Sequence, residues 1–309
     1  MEAYLIAEDV YRIPGGFGRS GENFGGILLK TNPPILIGAS GGKQFISNLQ
    51  ECLQELQMEQ NLIVYLPNVL WQEVITSELI VNTFPFAKIH VHKDVAERIK
   101  HPKEKFFAER HDEMFKEDIR HYERRLPKDI ENVVPIDKSS SFQADKTKIL
   151  VIPNPGPHKG HTFIYSRDHR LLATGVVLGL TPSSKRTYYL DFTGNIKDYM
   201  TALDFLDQAR SDIIFSAYDE PFFTNQNKPS IIEIRNALEK DKEGILEILT
   251  NQKQKFSEIV RKFKNLYTES ISTEPYKDID PITTLVRFHL NELIKLGKVV
   301  NDNDSYRTA

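Results

Sequence analysis

Residues 149–161 read ILVIPNPGPHKGH, and this stretch decides the fold prediction. The apolar run at its start predicts a buried strand, and the Pro- and Gly-rich half predicts a tight turn. A second apolar run follows at residues 162–166 and leads through a polar turn to a third run at residues 171–176. The stretch therefore predicts three short, consecutive strands joined by tight turns.

Composition places the chain among globular proteins. Of its 309 residues 40% are hydrophobic and 27% charged, which allows one large core, or a core with a small appended domain. The formal net charge of −3 gives no overall basic field for nucleic acid. No apolar run approaches the roughly 18–20 residues that span a bilayer, and the first residues do not have the pattern of a secretion signal. We therefore predict a cytoplasmic protein that does not enter a membrane.

Cys52 is the one cysteine of the chain, which excludes an internal disulfide and a cysteine-based zinc site. Its place beside Leu53 and Leu56 on an apolar helical face predicts a half-buried residue.

The N-terminal part predicts short strands followed by two helices. Strands are expected at residues 3–7, 10–13, 26–30, 34–37, 61–66 and 88–92, and helices at residues 45–56 and 73–80. The Gly-rich residues 38–42 precede the first helix and could bind phosphate at its N-terminus. They match neither a P-loop nor a dinucleotide motif, so a tight turn with positive φ is favoured.

Residues 95–145 are the most polar part of the chain. Interspersed charges over residues 95–125 predict one or two helices with a solvated face, so we expect a helical insertion at about 95–135. Residues 137–141 (DKSSS) predict a polar turn before the next strand.

From residue 229 onward the pattern is helical. Residues 283–296 predict a strong helix that ends at Gly297. Residues 298–300 and 305–307 flank a turn and predict a small β-hairpin. We accordingly divide the chain into residues 1–228 and residues 229–309.

The order and spacing of these segments resemble the metallo-β-lactamase family, including the glyoxalase II group. The similarity rests on four runs: the strand and turn at 149–161, ATGV at 173–176, DYMTAL at 198–203, and HLNEL at 289–293. It covers nearly the whole chain. It implies an α/β fold, an αββα sandwich over residues 1–228, with a winged-helix-like domain over residues 229–309.

The same resemblance implies that the metal ligands of the family are absent. The family places His or Asp at the positions that are occupied here by Pro67, Val69, Trp71, Gln72, Pro157, Val176 and Ala217. Zinc binds imidazole nitrogen or carboxylate oxygen, which none of these side chains offers. We therefore expect no metal cofactor. We also expect apolar and aromatic side chains to fill the site, with Trp71 as the main plug.

Polar residues nevertheless remain at two loops of the implied site. His158, Lys159 and His161 lie on one loop, and Tyr218 and Asp219 lie on another, where the apolar run predicted as a strand at residues 213–218 ends. We predict that these five residues form a ligand-binding cleft, while the catalytic residues, if any, are unknown. Lys159 between two histidines makes its loop cationic, more so below pH ~6.5. An anionic small molecule or an acidic protein surface is therefore the expected partner, and the alternative is that these are solvated residues around a closed site.

His90 and His92 lie two residues apart on a predicted strand. Both imidazoles therefore lie on one face of the strand, in a geometry that can bind metal. The resemblance places this strand outside the ligand set. A structural or surface role is therefore favoured.

Three functions stay open at this stage. A scaffold that binds a partner or ligand without metal is favoured. A hydrolase with relocated or non-metal chemistry, acting on a thioester or phosphodiester, would use the loop histidines or residues 218–220 as acid/base groups. A nucleic-acid-binding module is weakly supported. The helix predicted at 283–296 carries only two basic residues, Arg287 and Lys295, and the acidic Glu292, which is little positive charge for phosphate contacts. Assembly of identical chains is left open.

Overall fold

The computed structural model of the chain describes residues 4–16, 24–105, 126–178, 188, 190, 193–217, 222–223, 231–250, 252–266 and 281–309. Within these residues it contains two large β-sheets, one small sheet and eight helices.

The first large sheet has seven strands in sequence order. They are β1 Tyr4–Ala7, β2 Val10–Pro14, β3 Gly25–Leu29, β4 Ile35–Ile37, β5 Ile63–Tyr65, β6 Lys88–His92 and β7 Val133–Ile136. Strands β1 to β4 are antiparallel, and β4 to β7 are parallel. Parallel neighbours need crossover connections, which contain α1 Gly42–Glu55, α2 Trp71–Thr83, α3 Lys93–Lys100 and α4 Pro102–Lys105.

The second large sheet has six strands in the order β13-β12-β11-β10-β9-β8. Its elements are β8 Ser140–Ala144, β9 Thr147–Pro153, β10 Thr162–Ser166, β11 Leu171–Gly175, α5 Ile196–Gln208, β12 Ile213–Ser216 and β13 Phe222–Phe223. Only the β11–β12 pair is parallel among these neighbours, and α5 lies between the two strands in the chain. The three strands predicted from residues 149–176 are therefore β9, β10 and β11.

Side chains alternate between the two faces of each sheet, and this alternation places each sheet between two layers. Ile27 and Ile35 of the first sheet share a buried cluster with Ile164 and Ala173 of the second. Leu28, one residue from Ile27, packs instead into the cluster beneath α1 and α2. Because successive strand residues face opposite sides, each sheet has one face towards the other sheet and one face towards helices. The predicted αββα arrangement is confirmed.

The C-terminal part contains three helices and a three-stranded sheet. Its elements are α6 Ile231–Leu249, β14 Gln254–Lys255, α7 Phe256–Leu266, α8 Pro281–Lys295, β15 Val299–Asp302 and β16 Ser305–Thr308. Gly297 has φ 67° just after α8, as the predicted helix end requires. One continuous apolar cluster joins Phe163 and Leu172 of the second sheet to residues of α5, α6, α7 and α8. The boundary at residue 228 and the winged-helix character of this part stay predictions.

The predicted Gly-rich turn also has the expected backbone. Gly38 and Gly41 have φ 73° and 136°. A Cβ on Gly41 would lie 2.4 Å from the Cα of Gly15, so the two turns approach too closely for a side chain at this position.

Four strands, β7, β8, β13 and β14, were not predicted. Pro135 interrupts the apolar run of β7, and β8 lies at a sheet edge with mostly polar, part-exposed residues. The polar turn expected at residues 137–141 is wrong from Ser140 onward, where β8 begins. The expected insertion at 95–135 begins with α3 and α4 and overlaps β7 at its end, while residues 106–125 lie outside the described part. No helix in the described part is both long and apolar enough to cross a membrane.

Candidate functional site

Loops from both large sheets meet at one edge of the sandwich. The backbone N–H of Thr162, at the start of β10, donates to Pro67 O after β5 at 2.8 Å. The N–H of Ala217, after β12, donates to Gly175 O at the end of β11 at 2.9 Å. Because the carboxyl ends of parallel strands are where α/β sheets bind ligands, this edge is the candidate site.

An apolar cluster lies at this edge. It consists of the buried residues Phe24, Leu70, Val176 and Ala217. None of these side chains carries a nitrogen, oxygen or sulfur atom that could bind a metal. Apolar filling of the site was expected, but the predicted plug is wrong. Trp71 is half-buried and packs against the cluster beneath α1 and α2. The aromatic rings of the described residues at the site are those of Phe24, in the cluster, and Phe215, at the cavity.

The segment after β5 faces the site in a register one residue later than the resemblance implied. The chain bends at Pro67. Leu70 then lies in the site cluster, whereas Val69 packs into the cluster on the helical side of the sheet. Asn68 and Glu73 line the cavity at the site. Asn68, Leu70 and Glu73 therefore face the site, each one residue later than the implied ligand positions 67, 69 and 72, and Pro67 lines the cavity as well.

A small cavity lies beside the apolar cluster. Its volume is about 10 Å³. This is about the minimum that holds one water molecule. Small-molecule sites typically measure roughly 300–1,000 Å³. The cavity is lined by Gly25, Gly38, Ala39, Ser40, Pro67, Asn68, Glu73, Gly175, Phe215 and Ala217.

Glu73 is the acid of this cavity and is 1% exposed. The backbone N–H of Leu70 donates to Glu73 Oε2 at 3.0 Å. Burial raises the pKa of the Glu73 carboxyl from 4.5 to about 7, although backbone N–H groups and the facing side chains of Ser40 and Asn68 oppose the rise. Ser40 Oγ and Asn68 Nδ2 face this carboxyl without reaching hydrogen-bond geometry to any partner. A neutral acid is therefore populated here near pH 7.

His158 and His161 are fully buried, at 0% exposure. His158 Nδ1 donates to Lys159 O at 2.8 Å, and burial lowers the His158 pKa from 6.5 to about 4. His161 Nδ1 donates to Asn154 O at 3.1 Å, and its Nε2 accepts from the Val176 N–H at 3.3 Å. Burial also lowers the pKa of His161 well below 6.5. The expectation that both imidazoles make this loop cationic below pH ~6.5 is therefore wrong.

The remaining candidates are placed differently. Lys159 is exposed, and its backbone N–H donates to Thr193 Oγ1 at 3.0 Å. Tyr218 and Asp219 lie outside the described residues. The structure brings His158 and His161 together, with ring centroids 5.2 Å apart. A ligand-binding role for the five residues stays a prediction.

His90 and His92 have structural partners. The His90 ring lies 5.0 Å from that of Tyr65 and 5.6 Å from that of Phe142, and burial lowers its pKa to about 4. His92 Nδ1 accepts from the Asp94 N–H at 3.3 Å and caps α3. The favoured structural interpretation is supported by these contacts.

Cys52 is more buried than predicted, at 2% exposure. Burial raises the pKa of its thiol to about 11, so the thiolate form that reacts and binds metals is disfavoured.

The described residues do not fit a zinc ion at this edge. Zinc sites use at least three protein ligands, and within the described part no group of three or more His, Cys, Asp or Glu side chains could hold a metal. Glu73 contributes one carboxyl, and both nitrogens of the nearby His161 have protein partners. No catalytic step through a metal is derived.

Solved structures resemble this architecture over nearly the whole chain. A metallo-β-lactamase family protein from Thermus thermophilus matches with a TM-score of 0.73 at 16% identity, over 99% of this chain and 100% of that one. A β-lactamase domain protein from Burkholderia ambifaria matches with a TM-score of 0.74 at 13% identity, over 99% and 93%. The chain has the metallo-β-lactamase fold. An archaeal superfamily protein from Sulfolobus tokodaii matches with a TM-score of 0.53 at 16% identity, over 82% and 94%.

At these identities the likeness shows the metallo-β-lactamase fold alone. No family sequence profile matches the chain, and no curated protein matches it by sequence.

Within the metallo-β-lactamase fold, sequence reasoning missed Ser40, Asn68 and Glu73 as site residues. One signal was available for Glu73, because a Glu three residues after a helix N-cap returns its side chain to the N-cap N–H. Leu70 is the N-cap of α2, but it lacks the Ser or Thr that normally marks such a motif. Ser40 lies in a Gly-rich turn and Asn68 in a bend, where both residue types are common for local reasons.

Proposed function

We propose that this chain is a non-catalytic protein of the metallo-β-lactamase fold, which binds a partner through its surface and does not hydrolyse a substrate at the edge of the sandwich. The observation that carries the proposal is the cluster of Phe24, Leu70, Val176 and Ala217 at the site. These four apolar side chains offer neither a metal ligand nor an acid/base group.

The size of the cavity supports the same proposal. Glu73 has a pKa near neutrality, as a general acid or base requires. The cavity beside it, of about 10 Å³, is far below the roughly 300–1,000 Å³ of typical small-molecule sites. Hydrolysis with relocated chemistry is therefore the weaker candidate.

The partner we propose is a protein with an acidic surface. Because this cavity is far smaller than typical small-molecule sites, we place recognition on the outside of the molecule. On the His158–His161 loop the exposed cation is Lys159, since both imidazoles are buried and neutral. One exposed lysine gives weak recognition by itself, so it would act together with neighbouring surface.

A hydrolase assay tests the non-catalytic proposal. The purified chain is incubated with thioester and phosphodiester substrates, with and without added zinc, manganese or iron, beside an active metallo-hydrolase as positive control. We expect no turnover above background in any condition. Metal-dependent turnover that survives repurification would contradict the proposal.

Affinity capture tests the surface. The Lys159→Glu variant is expected to lose partners that the unmodified chain retains, because charge reversal repels an acidic surface. Lys148→Glu, at an exposed position on β9, is the matched control and should capture the same proteins as the unmodified chain. Identical capture by all three proteins would contradict a role for this loop.

Nucleic-acid binding is the second candidate, and the C-terminal part supplies the observation that favours it. Lys255 of β14 and Arg261 of α7 are exposed, on a segment where Glu258 is the one acidic residue between residues 252 and 266. Anisotropy of a labelled oligonucleotide over a salt series tests this candidate, because phosphate contacts give a steep salt dependence. A Lys255→Glu, Arg261→Glu double variant should then lose binding. No binding by the unmodified chain would remove the candidate.

A further inference from the structure

The cavity lies between the turn after β4 and the first turn of α2. Its polar side chains are Ser40, Asn68 and Glu73, which are 1%, 2% and 1% exposed. The surrounding residues are glycine, alanine, proline and phenylalanine. Three buried polar groups thus converge on one small cavity from two segments of the chain, the turn after β4 and the segment after β5.

Two of these groups have unmet hydrogen-bonding capacity. Ser40 Oγ and Asn68 Nδ2 reach no protein group in good hydrogen-bond geometry, although both are near enough to the Glu73 carboxyl to lower its pKa. Leaving a buried donor unpaired costs free energy, so native proteins usually pair such atoms with protein groups or with internal water. The cavity volume of about 10 Å³ matches one water molecule and is too small for anything larger.

The chemistry of the three groups selects the ligand. An amide Nδ2 can only donate, a hydroxyl can donate or accept, and a carboxyl group near its pKa can do both. A water molecule accepts from Asn68 Nδ2 and donates to Glu73, and it completes its shell with Ser40 Oγ. A cation would have to lie against the positive end of the Asn68 N–H dipole, so sodium or ammonium fits this set less well.

We propose that the cavity binds one internal water molecule, which bridges Ser40, Asn68 and Glu73 and fixes the start of α2 against the turn after β4. The bridge joins the loop that follows β5 to the loop that follows β4. It thereby holds the edge of the sandwich with hydrogen bonds. The inference stands whether or not the chain binds an acidic partner.

A crystal structure of the unmodified chain, grown without added metal salts and solved at high resolution, tests the proposal directly. One density peak is expected within hydrogen-bond distance, roughly 2.7–3.2 Å, of all three side chains. An interior without density would overturn this inference alone. A peak at roughly 2.0–2.2 Å from its ligands would be a metal, and it would contradict both this inference and the proposed function.

Thermal unfolding provides an independent test. If Ser40 and Asn68 bind the same water molecule, removing either side chain weakens the binding of that water. Removing the second side chain should then lower the Tm by less than it does in the unmodified chain. The losses in Tm of Ser40→Ala and Asn68→Leu should then sum to clearly more than the loss of the double variant. Ser77→Ala is the matched control, because Ser77 is a buried serine of α2 that does not line the cavity. Its loss should add to that of Asn68→Leu, and equal additivity in both pairs would contradict the bridge.

Discussion

The backbone N–H of Leu70 donates a 3.0 Å hydrogen bond to the Oε2 atom of Glu73. This bond satisfies one of the N–H groups that the first turn of a helix leaves without a helical partner. Because the same carboxyl group is buried in the cavity, the start of α2 depends on a titratable group. The stability of this edge of the sandwich should therefore depend on pH. The burial of the Glu73 carboxyl determines whether stability rises or falls with pH.

Replacing Glu73 by Gln should stabilise the protein at alkaline pH. The folded-state pKa of Glu73 is raised from 4.5 to about 7, so the folded chain binds a proton that the unfolded chain has already released between these values. The contribution of Glu73 to stability is therefore lost as the pH rises from about 4.5 through about 7, by up to about 3 kcal/mol. Gln keeps an acceptor for the Leu70 N–H and carries no charge. Urea unfolding at pH 5 and pH 8 should give a gain for Glu73→Gln that is larger at pH 8.

The control for this prediction is Glu78→Gln, a change of the same kind at a half-buried position of α2 outside the cavity. The difference between its effects at the two pH values gives the background against which the Glu73→Gln result is compared. A Glu73→Gln effect independent of pH would mean that the carboxyl titrates as it does in water.

His158 should have the opposite pH dependence. Burial lowers the pKa of His158 in the folded state from 6.5 to about 4. Between these pH values, His158 is protonated in the unfolded chain and neutral in the folded chain. Stability is then lost as the pH falls from about 6.5 to about 4, by up to about 3 kcal/mol. His158→Gln should be less stable near pH 7.5, because the bond to Lys159 O is disturbed, but its decline towards pH 4 should be shallower.

Unfolding of His158→Gln by urea at several pH values between 4 and 7.5 measures this slope. His101→Gln serves as control, because His101 is part-exposed and lies 3.1 Å from the Asp129 carboxylate. Parallel pH profiles for the unmodified chain and His158→Gln would contradict the buried, neutral imidazole.

Placing a carboxylate in the apolar cluster should destabilise the fold without restoring metal binding. Val176 is 0% exposed, so Val176→Asp buries a charge among Phe24, Leu70 and Ala217, at a cost of about 3–5 kcal/mol. Val176→Ala removes volume alone and should cost about 1–2 kcal/mol. The Tm of each variant is measured with and without zinc. A zinc-dependent rise of several degrees for Val176→Asp alone would show that the site still assembles around a metal.

Deleting the hydroxyl of Tyr188 should weaken the packing of the C-terminal helices on the sandwich. Tyr188 donates to Asp241 of α6, and its hydroxyl lies 3.3 Å from His289 Nε2 of α8. All three residues are buried, so Tyr188→Phe leaves the carboxylate with one donor fewer, at a cost of about 1–3 kcal/mol.

Tyr165→Phe is the control for this change, because the Tyr165 hydroxyl donates to Arg210 O in an exposed contact. It should change the free energy of unfolding by less than about 0.5 kcal/mol. Since one apolar cluster spans the second sheet and α6 to α8, we expect a single unfolding transition for the unmodified chain. Equal effects of the two variants would contradict a structural role for the buried network.

The sequence predicted the sandwich because its strands carry strong local signals. Strands β9, β10 and β11 are short apolar runs bounded by Pro, Gly and polar turns. This pattern is typical of strands. Strand β8 has no such signal, because edge strands tolerate polar residues on the exposed face.

The site was harder to predict, and its residues show why. The register of residues 67–73 was off by one, since no ligand remained to fix the correspondence with the family pattern. The burial of His158 and His161 follows from tertiary packing, in which Val95 of α3 lies against Gly160, and a polar loop sequence gives no sign of it. The raised pKa of Glu73 likewise depends on a cavity formed by segments that are distant in the chain.

The metal content of protein purified without chelators tests the central claim most directly. We expect less than a stoichiometric amount of zinc, iron or manganese per chain by elemental analysis, because Leu70, Val176 and Ala217 offer no ligand at the site. About one or two metal ions per chain that stay bound through dialysis would contradict it.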